Sequence, residues 1–322
     1  MKDIEILVPV PMREMIIDQL EESFRVHRLW KQADPEAYLD EVAPRIRGLA
    51  AGGHRAIDAA LLDRLPALEI VSCFGVGYDH VDAAYAGKKG VIVTNTPDVL
   101  TDEVADAAVG LLIATLRQFP QADRFVREGK WLKGAFPLTP SLRERTIGMV
   151  GLGRIGHAIA RRLEAFGVDV IYHSRTPKQD VAYPHYPSLT EMARDADVLV
   201  VTTPGGLGTQ HLIDAAVLEA LGSRGVLINI ARGSVVDEQA LITALQSETI
   251  LTAGLDVFED EPKVPQALVD MEHVVLLPHV GSGSVHTRDA MGQLVVDNLR
   301  SWFAGKGPQT PVFETPYPPT SR

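Results

Sequence analysis

The chain has 322 residues, 46% of them hydrophobic, enough material for two sizeable cores. A formal net charge of −11 argues against a nucleic-acid-binding face, and means that an anionic ligand must be held by local positive groups against the overall field. The single cysteine, Cys73, excludes an intramolecular disulfide and a cysteine-rich metal site. Its apolar run, Ile70-Val71-Ser72-Cys73-Phe74, marks it as a buried structural thiol. The amino terminus carries no charged-then-apolar signal pattern, and no apolar run is long enough for a membrane span. A soluble cytoplasmic protein, bound to neither membrane nor nucleic acid and holding no metal, is therefore expected.

Strand-like and helix-like stretches alternate along the chain, the pattern of parallel α/β architecture. Strands are expected at 4–8, 24–29, 46–50, 68–73 and 91–95, with helices such as 11–22 and 57–65 among them. A long helix at 100–116 opens on Thr101 and Asp102, which suit a capped start. A short helix at 123–129 and an exposed loop at 131–137 follow. A second series places strands at 146–150, 168–172, 198–202, 226–230, 252–257 and 274–277, then a helix at 284–303 and a proline-rich tail from Pro308. No strand follows that last helix to rejoin the second sheet, so it is expected to cross back to the first domain.

Gly151-Leu152-Gly153-Arg154-Ile155-Gly156 lies between an expected strand and an expected helix, which turns a weak Gly-x-Gly-x-x-Gly string into a strong dinucleotide signal. Gly151 permits the tight turn, Gly153 lets a pyrophosphate approach the backbone, and Gly156 allows close helix–strand packing. The pyrophosphate then caps the helix N-terminus. At the end of the next strand an NAD site would place an acid for the ribose 2′-hydroxyl, and this chain has Ser174. Ser174 and Thr176 can donate to a 2′-phosphate and Arg175 can pair with it, so NADP(H) is the preferred cofactor and NAD(H) a possible one.

Three charged residues sit just past the last apolar strands: Arg232 in Asn229-Ile230-Ala231-Arg232-Gly233, Glu261 in Asp256-Val257-Phe258-Glu259-Asp260-Glu261-Pro262, and His279 in Pro278-His279-Val280-Gly281. Ligands of open α/β sheets bind outside the carboxyl ends of the strands. These ends would deliver a proton donor, a carboxylate that tunes it and an anchor for a substrate anion. In the first domain, Gly75-Val76-Gly77 can form an anion nest from the N–H groups of Val76 and Gly77, with Ala51 and Gly52 beside it.

With these segments the chain resembles the D-isomer-specific 2-hydroxyacid dehydrogenases, and within them the NADPH-dependent glyoxylate/hydroxypyruvate reductases. The matching blocks are Gly75–Asp79, Asn95-Thr96-Pro97, Gly151–Gly156, Asn229–Gly233, Asp256–Pro262 and Pro278–Ser282. The resemblance implies two doubly wound parallel-sheet domains with the active site in the cleft. One is a discontinuous flavodoxin-like substrate domain (1–99 and 285–322), the other a Rossmann NAD(P) domain (100–284). It implies that His279 protonates the carbonyl oxygen, that Glu261 favours its imidazolium, and that Arg232 binds the carboxylate of a small 2-keto acid. Further cofactor contacts implied are Thr101, Thr203, Pro204, Thr209, Ile230, Ala231, Asp256 and Gly281. Trp131 would reach the substrate site of the partner subunit in a homodimer. The segment Pro204-Gly205-Gly206 departs from the Pro-Leu-Thr of many relatives. Alternatives are a D-lactate, bulkier 2-keto acid or phosphoglycerate dehydrogenase, or a nucleotide-sensing protein like the co-repressors of this fold. Formate dehydrogenase is disfavoured by Glu261, and the regulatory extension of long phosphoglycerate dehydrogenases has no room.

Overall fold

A computed structural model describes residues 1–53 and 55–318; the last four residues of the expected segment 285–322 lie outside the described residues. In chain order the elements begin with β1 (Glu5–Val8), α1 (Glu14–Ser23), β2 (Arg25–Arg28), α2 (Pro35–Val42), β3 (Ile46–Ala51), α3 (Ala59–Arg64), β4 (Ile70–Cys73), α4 (Ala83–Lys88) and β5 (Ile92–Thr94). They continue with α5 (Thr101–Arg117), α6 (Phe119–Arg127), β6 (Thr146–Val150), α7 (Arg154–Glu164), β7 (Asp169–His173), β8 (His185–Tyr186) and α8 (Leu189–Asp195). The last are β9 (Val198–Val201), α9 (Ala215–Leu221), β10 (Val226–Asn229), α10 (Glu238–Gln246), β11 (Thr252–Leu255), α11 (Gln266–Val269), β12 (Val275–Leu276) and α12 (Val285–Phe303). The chain divides into two compact units, one of Met1–Leu100 with Ser284–Arg322 and one of Thr101–Gly283.

The first unit holds a parallel sheet in the order β2-β1-β3-β4-β5. Its side chains alternate between two cores, as a period of two requires. Leu7, Leu49, Ala51, Val71, Cys73 and Val93 face the side covered by α2, α3 and α4. Ile6, Val8, Ala50, Ile70 and Ile92 face Ile16, Ile17 and Leu20 of α1 and Val295, Val296 and Leu299 of α12. Fully burying each such aliphatic contributes about 1.5–3 kcal/mol. Cys73 is buried, and burial pushes its thiol up to about 12, an inert structural sulfur.

The second unit holds a parallel sheet in the order β12-β11-β10-β9-β6-β7-β8. The strand order reverses between β6 and β9, which places the topological switch point beside the glycine loop. Helices α8, α9 and α10 pack on one face, where Val150, Leu199, Val201, Leu227 and Leu255 point. On the opposite face α5 lies so close to β11 that a Cβ at Gly254 would meet Thr115 Oγ1 at 2.3 Å. Two elements differ most from expectation. Strand β8 has only two residues and no apolar run to announce it. The short helix starts at Phe119 rather than 123, because Gln118 takes a left-handed φ of 50° and Pro120 suits the first helical turn.

Candidate active site

Strands β10, β11 and β12 are neighbours, so their carboxyl ends lie side by side, and each loses its ladder where a charged loop begins. β11 stops at Leu255, two residues short of the expected strand, because Asp256 and Val257 leave for the loop that carries Glu261. His279 Nδ1 is 2.8 Å from Glu261 Oε2, and Glu261 Oε1 accepts the N–H of Phe258 at 3.1 Å. The carboxylate is thus held on both oxygens, with its side chain 14% exposed against 37% for the histidine.

His279 itself has a left-handed φ of 52°, a strained conformation for a bulky residue. Asp256 holds it there. The Asp256 carbonyl accepts the His279 N–H at 2.9 Å, and its carboxylate accepts those of Val280 at 2.7 Å and Gly281 at 2.8 Å. Burial pushes the Asp256 carboxyl above its ordinary value, and the two N–H donors oppose that shift only in part. A Cβ at Gly281 would sit 3.0 Å from Asp256 Oδ2 and 3.4 Å from Ile230, so the turn fits only glycine comfortably.

Arg232 ends a turn pinned from below. The Asn229 amide donates to the Arg232 carbonyl at 3.0 Å and accepts the Ala231 N–H at 3.1 Å, and Asn229 is 1% exposed. Arg232 Nη1 donates to the Ala231 carbonyl at 2.7 Å. Ile230 and Ala231 are buried beneath. Directly after Arg232, a Cβ at Gly233 would lie 1.9 Å from the Phe258 carbonyl carbon and 2.3 Å from Glu259 N. The turn of Arg232 and the stretch bearing Glu261 therefore press backbone on backbone. Sequence reading missed this contact and the Asn229 pin; the only sequence signal was a glycine after the arginine.

The glycine loop lies at the other half of the sheet. Gly151 has φ 94°, and a Cβ at Gly156 would stand 2.6 Å from the Gly151 carbonyl oxygen, so helix α7 starts hard against the end of β6. Gly153 has open space where a Cβ would point, and helix α7 has no side-chain cap, whereas α8, α9 and α10 are capped by Ser188, Asp214 and Asp237. Leu152 is buried, Ile155 half-buried and Arg154 exposed in the first turn. Beside Gly151, the Thr203 hydroxyl is buried without a hydrogen-bond partner among the described residues. An uncapped helix start, a bare backbone and an orphaned hydroxyl together suit a dinucleotide phosphate.

The remaining expected contacts sort unevenly. Thr209 closes the Pro204–Gly206 turn, donating to the Pro204 carbonyl at 2.6 Å, while Gly206 takes φ 121° and Leu207 is fully out in solvent. The Ser174 hydroxyl donates to the Thr176 carbonyl at 2.7 Å, and Arg175 and Thr176 beside it are exposed. Thr101 is the first residue of α5. Trp131 lies in a 3-10 turn, Lys130–Leu132, and is 67% exposed. In the first unit, Asn95 Nδ2 holds the Val76 carbonyl at 2.9 Å, Thr96 holds Gly75, and no hydrogen bond among the described residues uses the N–H groups of Val76 or Gly77. Ala51 ends β3, and Gly52 follows it against Met12 and Val10. Among the described residues no group of His, Cys, Asp and Glu could hold a metal, and no helix is long and apolar enough to cross a membrane.

The profile of the D-isomer specific 2-hydroxyacid dehydrogenase NAD-binding domain matches residues 109–281. The chain belongs to that family. It is 48% identical over 312 residues to glyoxylate/hydroxypyruvate reductase A of Arabidopsis thaliana, covering 97% of this chain and 100% of the relative. Hydroxyphenylpyruvate reductase of Plectranthus scutellarioides is 47% identical over the same shares. A crystal structure of the NADPH-dependent glyoxylate/hydroxypyruvate reductase of Sinorhizobium meliloti, in complex with NADP and malonate, superposes with a TM-score of 0.92 at 50% identity, covering 99% of this chain and 100% of that one. This 2-hydroxyacid dehydrogenase is accordingly an oxidoreductase acting on CH–OH groups, with a Rossmann nucleotide-binding sheet.

Proposed function

We propose that the chain is an NADPH-dependent reductase of small 2-keto acids, turning glyoxylate into glycolate and hydroxypyruvate into D-glycerate. The 2.8 Å Glu261–His279 contact carries this reading, because it is a proton donor already oriented by a buried carboxylate. When bound, the reduced nicotinamide supplies the hydride for the carbonyl carbon. His279 Nε2 donates the proton that the carbonyl oxygen takes up. Glu261 accepts the Nδ1 proton, which fixes the tautomer and ring orientation. Arg232 takes the substrate carboxylate on its planar fork and polarises the adjacent carbonyl. Asp256 keeps the His279 turn in its left-handed conformation.

In the same reading the N–H groups of Val76 and Gly77 bind substrate, with Ala51 and Gly52 beside them. The loop 151–156 with Thr101, Thr203, Pro204, Thr209, Ile230, Ala231 and Gly281 holds the cofactor. Preference for NADPH is supported by the absence of an acid at Ser174, by the exposed Arg175, and by the NADP in the crystal structure of the Sinorhizobium meliloti relative. A homodimer is supported by the exposed Val126, Trp131, Leu132 and Leu138 on and after α6, a helix with no buried residue, and Trp131 is the side chain assigned to the partner's site. Sedimentation at the mass of one chain contradicts the dimer. A cytoplasmic location remains part of the proposal, consistent with dependence on a nicotinamide nucleotide.

The test is a panel of glyoxylate, hydroxypyruvate, pyruvate and an aryl 2-keto acid with NADPH and NADH in parallel. The expected result is highest kcat/KM for the two small acids with NADPH. An aryl acid preferred over both overturns the substrate assignment.

A further inference from the structure

Two loops of the second unit are joined by side chains that take no part in the chemistry proposed above. His211 lies in the connection between β9 and α9, with a left-handed φ of 49°, and its N–H donates to the Ser234 carbonyl at 2.8 Å. Its Nε2 lies 2.9 Å from Glu259 Oε1. Glu259 stands two residues before Glu261, and its own N–H donates to Glu238 Oε2 of α10 at 3.2 Å. The backbone of Phe258 and Glu259 is also the surface on which Gly233 rests. The four residues Phe258–Glu261 are thereby fixed from three sides, and His211 is the only one of these ties that comes from the loop bearing Thr203, Pro204 and Thr209.

We propose that His211 and Glu259 are positioning residues, a tether that couples the cofactor-side loop after β9 to the placement of Glu261 against His279. The inference rests on the reading of Glu261 and His279 as the acid–base pair. The pair is about two-fifths exposed on both sides, so as a surface ion pair it adds little to stability. Its leverage is geometric. The Glu261–His279 hydrogen bond spans 2.8 Å, and catalytic groups displaced by about 1 Å lose up to roughly a hundredfold in rate. A small force applied two residues away thus matters for rate where it does not matter for folding.

The tether also carries a pH sense. Hydrogen bonding to Glu259 holds the His211 imidazole above its ordinary value, and the charge of Asp237 acts the same way. Facing Glu259 are Glu238, whose carboxyl burial pushes up, and Asp260. With a raised folded value, the charged tether is complete below the ordinary histidine range and is lost as pH rises through the raised value.

The experiment uses the full chain, its His211→Asn, Glu259→Gln and Glu259→Ala variants, and the His211→Asn/Glu259→Ala double variant, with NADPH and hydroxypyruvate. His211→Asn and Glu259→Ala should each lower kcat by about tenfold with little change in hydroxypyruvate KM. The double variant should be no worse than either, and Glu259→Gln, which keeps an acceptor for the His211 N–H, should recover most of the rate. Wild-type kcat in both single variants, or losses that multiply in the double, overturns the tether. A readout independent of substrate choice is the imidazole nitrogen NMR signal of His279. The tether predicts that it moves in His211→Asn and Glu259→Ala at unchanged Tm, and an unmoved signal overturns it. Loss of turnover in His279→Ala with hydroxypyruvate separately checks the reading on which the tether rests.

Discussion

Two groups of strand ends in the seven-stranded sheet, one at its centre and one towards the β12 edge, are built by opposite means. At β6 and β9 the site is made of missing side chains: Gly153 opens space, Gly151 turns the chain, and the helix start is left uncapped. At β10, β11 and β12 the site is made of charged side chains in supported turns: the Asn229 side chain holds the Arg232 turn, the Phe258 N–H holds Glu261, and the Asp256 carboxylate holds the turn after His279. A bare backbone can receive a phosphate without further support. In the proposed mechanism a general acid needs its ring fixed in angle as well as place, which gives Asn229, Gly233 and Asp256 their part as buried supports.

The largest effect that sharpens this contrast should come from adding one methyl group at each site. Gly233→Ala forces a carbon to within 1.9 Å of the Phe258 backbone, so the Arg232 turn and the Glu261 stretch must part. The expected outcome is a fall in kcat/KM of about a hundredfold and a stability loss of about 1–3 kcal/mol by thermal unfolding. Gly153→Ala meets no atom within 4 Å, so its Tm should stay near wild type while KM for NADPH rises. Equal Tm losses in the two variants break the comparison.

Asn229→Ala comes next. It leaves the Ala231 N–H and the Arg232 carbonyl without their buried partner, at a cost of about 1–3 kcal/mol. Substrate KM should rise more than NADPH KM, because the loosened turn carries Arg232 and not the glycine loop. A change confined to NADPH binding contradicts that division. The smallest effect is Ser174→Asp, which adds a carboxylate where a 2′-phosphate is expected and an acceptor for a 2′-hydroxyl. Measured as the ratio of kcat/KM for NADPH over NADH, it should fall by about tenfold or more, as loss of one charge-assisted contact implies. An unchanged ratio removes Ser174 and its neighbours from cofactor choice.

The same contrast explains what the residues disclosed in advance. Loop 151–156 was legible because its function is local: strand, glycines and helix are consecutive, and each glycine acts where it stands. Arg232, Glu261 and His279 were legible as charges past apolar strands, since the carboxyl ends of neighbouring parallel strands share one edge. Their supports were not. Whether Gly233 rests on Phe258, or His211 meets Glu259, depends on which loops adjoin, and that follows from strand order rather than from any local pattern. Ser174 carries a local detail of the same kind, since its hydroxyl donates to the Thr176 carbonyl two residues on. Strand β8 escaped notice because two residues give no periodicity to read.

His279, oriented by Glu261, is the proposed proton donor for reduction of a 2-keto acid. The direct measurement is single-turnover NADPH oxidation by hydroxypyruvate in wild type and His279→Ala, alongside NADPH affinity by fluorescence titration. The expected result is a rate loss of about 10²–10⁴-fold with NADPH affinity unchanged. A His279→Ala variant that oxidises NADPH at the wild-type rate contradicts it.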